Sequence, residues 1–199
     1  MLASITPLGE RGRNRRWGFT ASFYVAGSVM GGATRGAILG GIGALVPASV
    51  RPSSSAVALI LAILLGVAAA VEAHRLRLPI PGPARQVNED WLDQYRGWVI
   101  GFGFGYQLGI AAVVYITSAS LWVVFAAELL TFSPTRGMAL GALFGLIRAV
   151  PLLATYRVRS PQQLRTAHAA LSRRAPLAER VVTATCSIAA LVMIVAAVA

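Results

Sequence analysis

The sequence predicts an all-α fold: a polytopic membrane helical bundle of about five transmembrane helices, two of them long or broken, with a candidate internal repeat. Three observations carry this. The 199 residues are 56% hydrophobic and only 13% charged, with a mean hydropathy of +0.67, where a soluble domain has about a quarter of its residues charged. Five charge-poor stretches are long enough to cross a bilayer. The charge between them is almost all arginine, 18 Lys+Arg residues with no lysine among them, against 7 acidic ones.

The chain reads as a single integral membrane domain, 1–199. A basic leader, 1–17, carries Arg11, Arg13, Arg15 and Arg16. The first helical half, 18–74, holds the stretches Gly18–Ala48 and Ser55–His74, interrupted in the first only by Arg35. A connection at 75–97 carries Pro79, Pro81 and Pro83, a stiff extended piece, and then Asn88-Glu89-Asp90-Trp91, which has the N-cap and first-turn acids of a helix start. Trp91, Tyr95 and Trp98 would form an aromatic anchor at headgroup level. The second half, 98–156, holds Trp98–Phe132 and Gly137–Tyr156. A basic connection, 157–180, precedes the last helix, 181–199. Its Ser160-Pro161-Gln162-Gln163 has the form of a capping box, with Leu164, Ala167, His168 and Leu171 on one apolar side.

A spanning helix needs about 20 residues. The first stretch, at about 46 Å, and the third, at about 52 Å, are too long for an upright crossing, so each is expected to be tilted, broken or paired. With single crossings the leader and both basic connections fall on one side, as the positive-inside rule requires. This places the protein in a bacterial inner (plasma) membrane, N-terminus cytoplasmic and C-terminus outside. The leader runs into an apolar stretch too long for a cleaved signal peptide, so it is expected to precede an uncleaved helix.

Composition excludes several classes of function. The arginines flank apolar stretches instead of lining a groove with aromatics, so no nucleic-acid partner is expected. A lone cysteine, Cys186, and two scattered histidines offer neither a disulfide nor a metal site. No set of acid, base and nucleophile emerges, so no catalytic residue and no cofactor are expected, and the chain is not read as an enzyme.

Glycine spacing is the most specific signal. Gly27 and Gly31, Gly36 and Gly40, Gly101, Gly105 and Gly109, and Gly137, Gly141 and Gly145 recur at intervals of four, which lets helix backbones pack closely in lipid. Thr34-Arg35-Gly36, Leu39-Gly40 and Leu45 recur as Thr135-Arg136-Gly137, Leu140-Gly141 and Leu146, the kind of repetition from which many transporters are built.

The polar groups inside apolar stretches define a candidate substrate pathway: Gln107, Tyr115, Thr117, Ser118, Arg148 and Pro151. The third stretch is expected to break near Thr117-Ser118-Ala119-Ser120. Arg148 is a cation in an apolar stretch, usually turned to a bundle interior or wet cavity. Arg35 is expected to pair with Glu128 or with carbonyls near the outer side; Glu72 and His74 are expected to be interfacial.

The run from Gly101-Phe102-Gly103 through Leu130, with Phe144-Gly145-Leu146 and Ala149-Val150-Pro151-Leu152, resembles the paired helices of the CcdA/DsbD transmembrane family. The resemblance implies a thiol–disulfide carrier scaffold of cytochrome c biogenesis. The stretch matching the working cysteines reads Ile116-Thr117-Ser118-Ala119-Ser120, so this would be a divergent member without that cysteine chemistry.

Two functions follow as expectations. The first is a transporter-like protein moving or gating a small polar solute or ion through a midplane cavity. The alternative is a non-transporting membrane subunit or assembly factor supporting an envelope redox or cytochrome-maturation partner. The implied partners are the lipid bilayer and a membrane or cytoplasmic protein; a homo-oligomer is left open.

Overall fold

The computed structural model describes residues 5–76, 95–111 and 118–198, which form α-helices and short 3-10 turns with no strand among them. The helices are α1 (Pro7–Gly12), α2 (Trp17–Ala44), α3 (Ser54–Glu72), α4 (Gly97–Ile110), α5 (Ser120–Leu129), α6 (Pro134–Leu153) and α7 (Pro161–Val198). The proline-rich piece 79–83 and the helix start at Asn88 and Trp91 lie outside the described residues. So do Tyr115 and Thr117 of the candidate pathway.

Local chemistry sets most of the starts. Thr6, Ser53, Ser133 and Ser160 each accept a hydrogen bond from the backbone N–H three residues on, at 3.1–3.4 Å. Proline follows three of these four caps, at the position where its missing N–H costs nothing. At Ser160 the Gln163 side chain also accepts from the Arg159 N–H at 2.7 Å, one residue earlier than in a standard capping box. Helix α2 ends where Arg51 donates to the carbonyls of Ala44 and Val46 at 3.0 and 2.9 Å, a cation placed on the negative end of a helix.

Helix α2 is the axis of the molecule. Over its 28 residues it packs against α4 on one side and α6 on the other. A Cβ at Gly27 would overlap the Phe102 carbonyl, and one at Gly31 the Tyr106 carbonyl. In return Gly101 and Gly105 meet the carbonyls of Thr20 and Tyr24. Residue numbers rise together, so α2 and α4 run parallel. Against α6 they run oppositely: Gly32 faces Gly141, and Gly36 and Gly137 each abut the other's carbonyl. These last two are equivalent positions of the sequence repeat, and they meet as a symmetric antiparallel pair. The three helices converge at Ser28, whose hydroxyl donates to the Gly145 carbonyl at 2.7 Å, while its own carbonyl abuts Gly109 and Gly145.

Small and polar side chains share the interior with a few large apolar ones, Ile100, Phe104 and Leu152 among them, while many large apolar side chains lie on the exterior. Thr20, Ser28 and Glu128 are at most 1% exposed, whereas Ile38, Ile63, Leu146, Ile147, Leu191 and Val195 are exposed. Three helical stretches, Ser54–Glu72, Pro134–Arg157 and Pro161–Val198, are long and apolar enough to cross a membrane.

Of the two over-long stretches, each expected to be tilted, broken or paired, the first is one unbroken helix, about 42 Å at 1.5 Å per residue, whereas the third is two helices, α4 and α5. One expectation changes. The expected basic connection at 157–180 and last helix at 181–199 are largely one element, since α7 runs unbroken through Pro176. It packs along α3, with Glu179 set 3.9 Å from His74 at the C-terminal end of α3.

Candidate functional site

The polar centre of the bundle is built around the interruption between α4 and α5. Helix α4 stops where Ala111 turns left-handed (φ 58°), its N–H still bonded to the Gln107 carbonyl. A helix that ends inside an apolar bundle exposes carbonyls that lipid cannot satisfy. Arg35 meets them, its Nη1 donating to the carbonyls of Gly109 at 3.0 Å and Ile110 at 3.3 Å. The other edge of the same guanidinium grips Glu128 of α5 in a two-point pair, Nε to Oε2 at 2.9 Å and Nη2 to Oε1 at 2.5 Å. The ring centroids of Phe125 and Phe144 lie 4.7 and 4.5 Å from its Cζ. Four hydrogen bonds and two ring contacts thus hold the cation, which is what makes a buried charge tolerable.

The other side of the interruption is treated with the opposite sign. Glu72, at the end of α3, accepts from the Ser118 hydroxyl at 2.7 Å and from the Ala119 N–H at 2.8 Å. Ser118 and Ser120 hydroxyls lie 2.6 Å apart. A carboxylate thus sits on the positive start of α5 and a guanidinium on the negative end of α4, each complementing the helix dipole.

The structure gives the described pathway residues separate settings. Ser118 belongs to the cap just described. Gln107 is half-buried on α4. Arg148, half-buried on α6, lies with its Cζ 5.7 Å from the Phe144 ring. Pro151 is exposed and lines a groove against α7. Arg35 has both of its expected partners, Glu128 and backbone carbonyls. Glu72, expected to be interfacial, is half-buried and bonded to Ser118 and Ala119. Cys186 is a free, buried thiol in α7.

Sequence reasoning passed over Glu10, which lies in the arginine-rich leader and reads as one acid among cations. It is wholly buried and accepts from the Thr20 hydroxyl at 2.6 Å, tying α1 beneath α2. Among the described residues no group of three His, Cys, Asp or Glu side chains is placed to hold a metal.

What the geometry defines, among the described residues, is a helical, glycine-packed bundle with many exposed apolar side chains and a polar centre of paired groups. In sequence it is similar to methylamine utilization protein MauF. The similarity is 31% identity over 169 residues with that of Paracoccus denitrificans, covering 79% of this chain and 60% of the relative. It is 31% over 157 residues with the Paracoccus versutus protein, 75% and 56% of the two chains. With the Methylophilus methylotrophus protein it is 29% over 161 residues, 78% and 54%. The chain thus spans somewhat over half the length of these relatives. No family model matches it, and no solved structure does.

These similarities overturn the CcdA/DsbD resemblance. That reading rested on glycine and apolar patterns in runs such as Gly101-Phe102-Gly103 and Phe144-Gly145-Leu146, which closely packed apolar helices share widely.

Proposed function

We propose that this chain is a multi-pass protein of a bacterial cytoplasmic membrane that serves as a non-transporting accessory or assembly subunit for a protein partner in methylamine utilisation. The similarity to MauF over 169 residues carries this reading. The many exposed Leu, Ile and Val side chains support the membrane setting, since such exposure is favourable only where the surrounding solvent is itself apolar. The polar centre supports a structural role. Arg35, Glu128, Glu72 and Ser118 bond one another and the two ends of the helix interruption. A transporter would turn such groups toward its cargo.

The surface offered to a partner is the outer face of the first half of α7. Arg165, Arg173 and Arg180 recur at eight and seven residues, about two helical turns apart, and all three are exposed. A partner with an acidic face would dock there. This reading gives the chain no catalytic step of its own.

The test is affinity purification from the native membrane, comparing wild type with Arg165→Glu/Arg173→Glu/Arg180→Glu. A stoichiometric partner held by wild type and lost from the triple variant, with growth on methylamine lost alongside, is the expected result. Liposome-reconstituted chain that carried methylamine faster than empty vesicles would overturn the reading.

A further inference from the structure

Arg35 and Arg148 are both cations inside apolar stretches, and only Arg35 is paired. Arg35 makes four hydrogen bonds. Arg148, on α6, makes no hydrogen bond or ion pair among the described residues; its Cζ lies 5.7 Å from the Phe144 ring. The titratable groups that act on its charge are Tyr24, a phenol, and Arg35, a second cation, and neither supplies a negative charge. We infer that Arg148 is a docking point within the membrane for a spanning helix of the partner protein, one that carries a carboxylate at the same depth.

Depth is the first observation that chooses this occupant. Arg148 lies within the apolar stretch Pro134–Arg157, about 21 Å of helix from one end and about 14 Å from the other. Its head does not turn to the nearer end, because Phe144, the ring beside its Cζ, is one turn further in. A cation held there meets the side chains of other helices and not headgroups.

The second is access. Helix α6 packs chiefly against α2. On the flank of α6 beside Arg148, Leu143 and Ile147 are exposed, and Leu140 and Phe144 are half-buried. These four recur at intervals of three and four, so an apolar stripe runs up to the guanidinium and a second helix can lie along it.

The third is charge. An unpaired cation in lipid is costly, and a fixed carboxylate on a neighbouring helix offsets that cost. A second copy of this chain has none to give. Of the 7 acidic residues, only Glu72 and Glu128 lie in apolar stretches, and both are engaged. The carboxylate therefore belongs to a different protein. This inference rests on the membrane setting and accessory role proposed above, and adds a contact at depth to the surface of Arg165, Arg173 and Arg180.

The experiment places full-length protein in phosphatidylcholine liposomes with synthetic leucine-rich spanning peptides that differ only at one central position, Asp or Leu. Energy transfer between a dye on the chain and one on the peptide reads association. Wild type is expected to bind the Asp peptide at least about tenfold more tightly than the Leu peptide, a ratio that corresponds to about 1.4 kcal/mol. Arg148→Leu should erase this preference, and Arg148→Glu should transfer it to a peptide with a central Arg. Moving the Asp seven residues toward either end, about 10 Å, should weaken binding to the level of the Leu peptide. Equal binding of the Asp and Leu peptides by wild type, or a preference that survives Arg148→Leu, would overturn the docking point. Transfer between two differently labelled copies of the chain that falls on Arg148→Leu would overturn it in favour of a second copy. One phosphatidylglycerol retained by wild type and released by Arg148→Leu in native mass spectrometry would overturn it in favour of a lipid phosphate. The peptide series on wild type needs no variant to fold. Arg165→Glu/Arg173→Glu/Arg180→Glu should keep the Asp preference, so the two partner contacts are read separately. Chain that washes off membranes in alkaline carbonate removes the membrane reading and this inference with it; chain that stays but treats the Asp and Leu peptides alike removes only the inference.

Discussion

Arg35 answers two demands with one side chain. It neutralises Glu128, and it satisfies the carbonyls of Gly109 and Ile110 that the end of α4 leaves open. Removing only one partner of a buried pair strands the other, which costs about 3–5 kcal/mol, whereas replacing both with apolar groups is often neutral. Arg35→Leu is therefore expected to lower the stability of detergent-solubilised protein by that amount in denaturant unfolding. Arg35→Leu/Glu128→Leu should recover the part due to the stranded carboxylate but not the part due to the carbonyls. A double variant no better than the single would show that the pair is not the unit of stability. This pair was legible in the sequence, since each residue is a charge set in an apolar stretch and needs an opposite one. The role of Glu72 was not. At the end of α3 it reads as an acid reaching water, and only the tertiary fold brings Ser118 and Ala119 to it. The end of α4 at Ala111 was equally hidden, because alanine carries no signal for a left-handed turn.

Helix α2 shows what spacing reveals and what it withholds. Intervals of four identified the packing glycines, but the sequence could not say that Gly27 and Gly31 serve α4 while Gly32 and Gly36 serve α6, since both sets lie within one helix. Gly66 stands outside those intervals and has nothing within 4 Å of an added Cβ. The two kinds should respond oppositely. Gly36→Val drives methyl groups into the Gly137 backbone and is expected to cost at least about 3 kcal/mol. Gly66→Ala should gain up to about 1 kcal/mol from helix propensity. Thermal unfolding of the two variants in one detergent checks both signs. Helix α7 was misjudged for a different reason. The arginines that end at Arg180 mimic a boundary, but they lie, with the exposed Pro176, within a continuous helix.

At the scale of the whole molecule, three helical stretches meet the length and apolarity of a membrane span. Helix α2 and the interrupted α4–α5 complete a set of five if they cross as well. Hydropathy alone cannot rank these two, because glycine and paired charges dilute the signal of an interior helix. Topology is therefore a prediction. Single cysteines placed at Pro47 and Thr131, in Cys186→Ser protein, should be labelled by a membrane-impermeant reagent from one side, and those at Arg96 and Gln162 from the other. Labelling of all four from a common side would eliminate five single crossings.

The 93 residues that separate Arg35 from Glu128 also set a timetable for biogenesis. At translation rates of about 5–20 residues per second, the cation emerges from the ribosome roughly 5–20 s before its counterion exists. In the proposed membrane setting, α2 holds during that interval a solitary guanidinium that lipid does not welcome. The nascent chain would then linger at the insertion machinery or park this segment beside an attendant until α5 arrives. Slowing synthesis between these two positions would lengthen the wait and expose the half-made bundle to quality-control proteases.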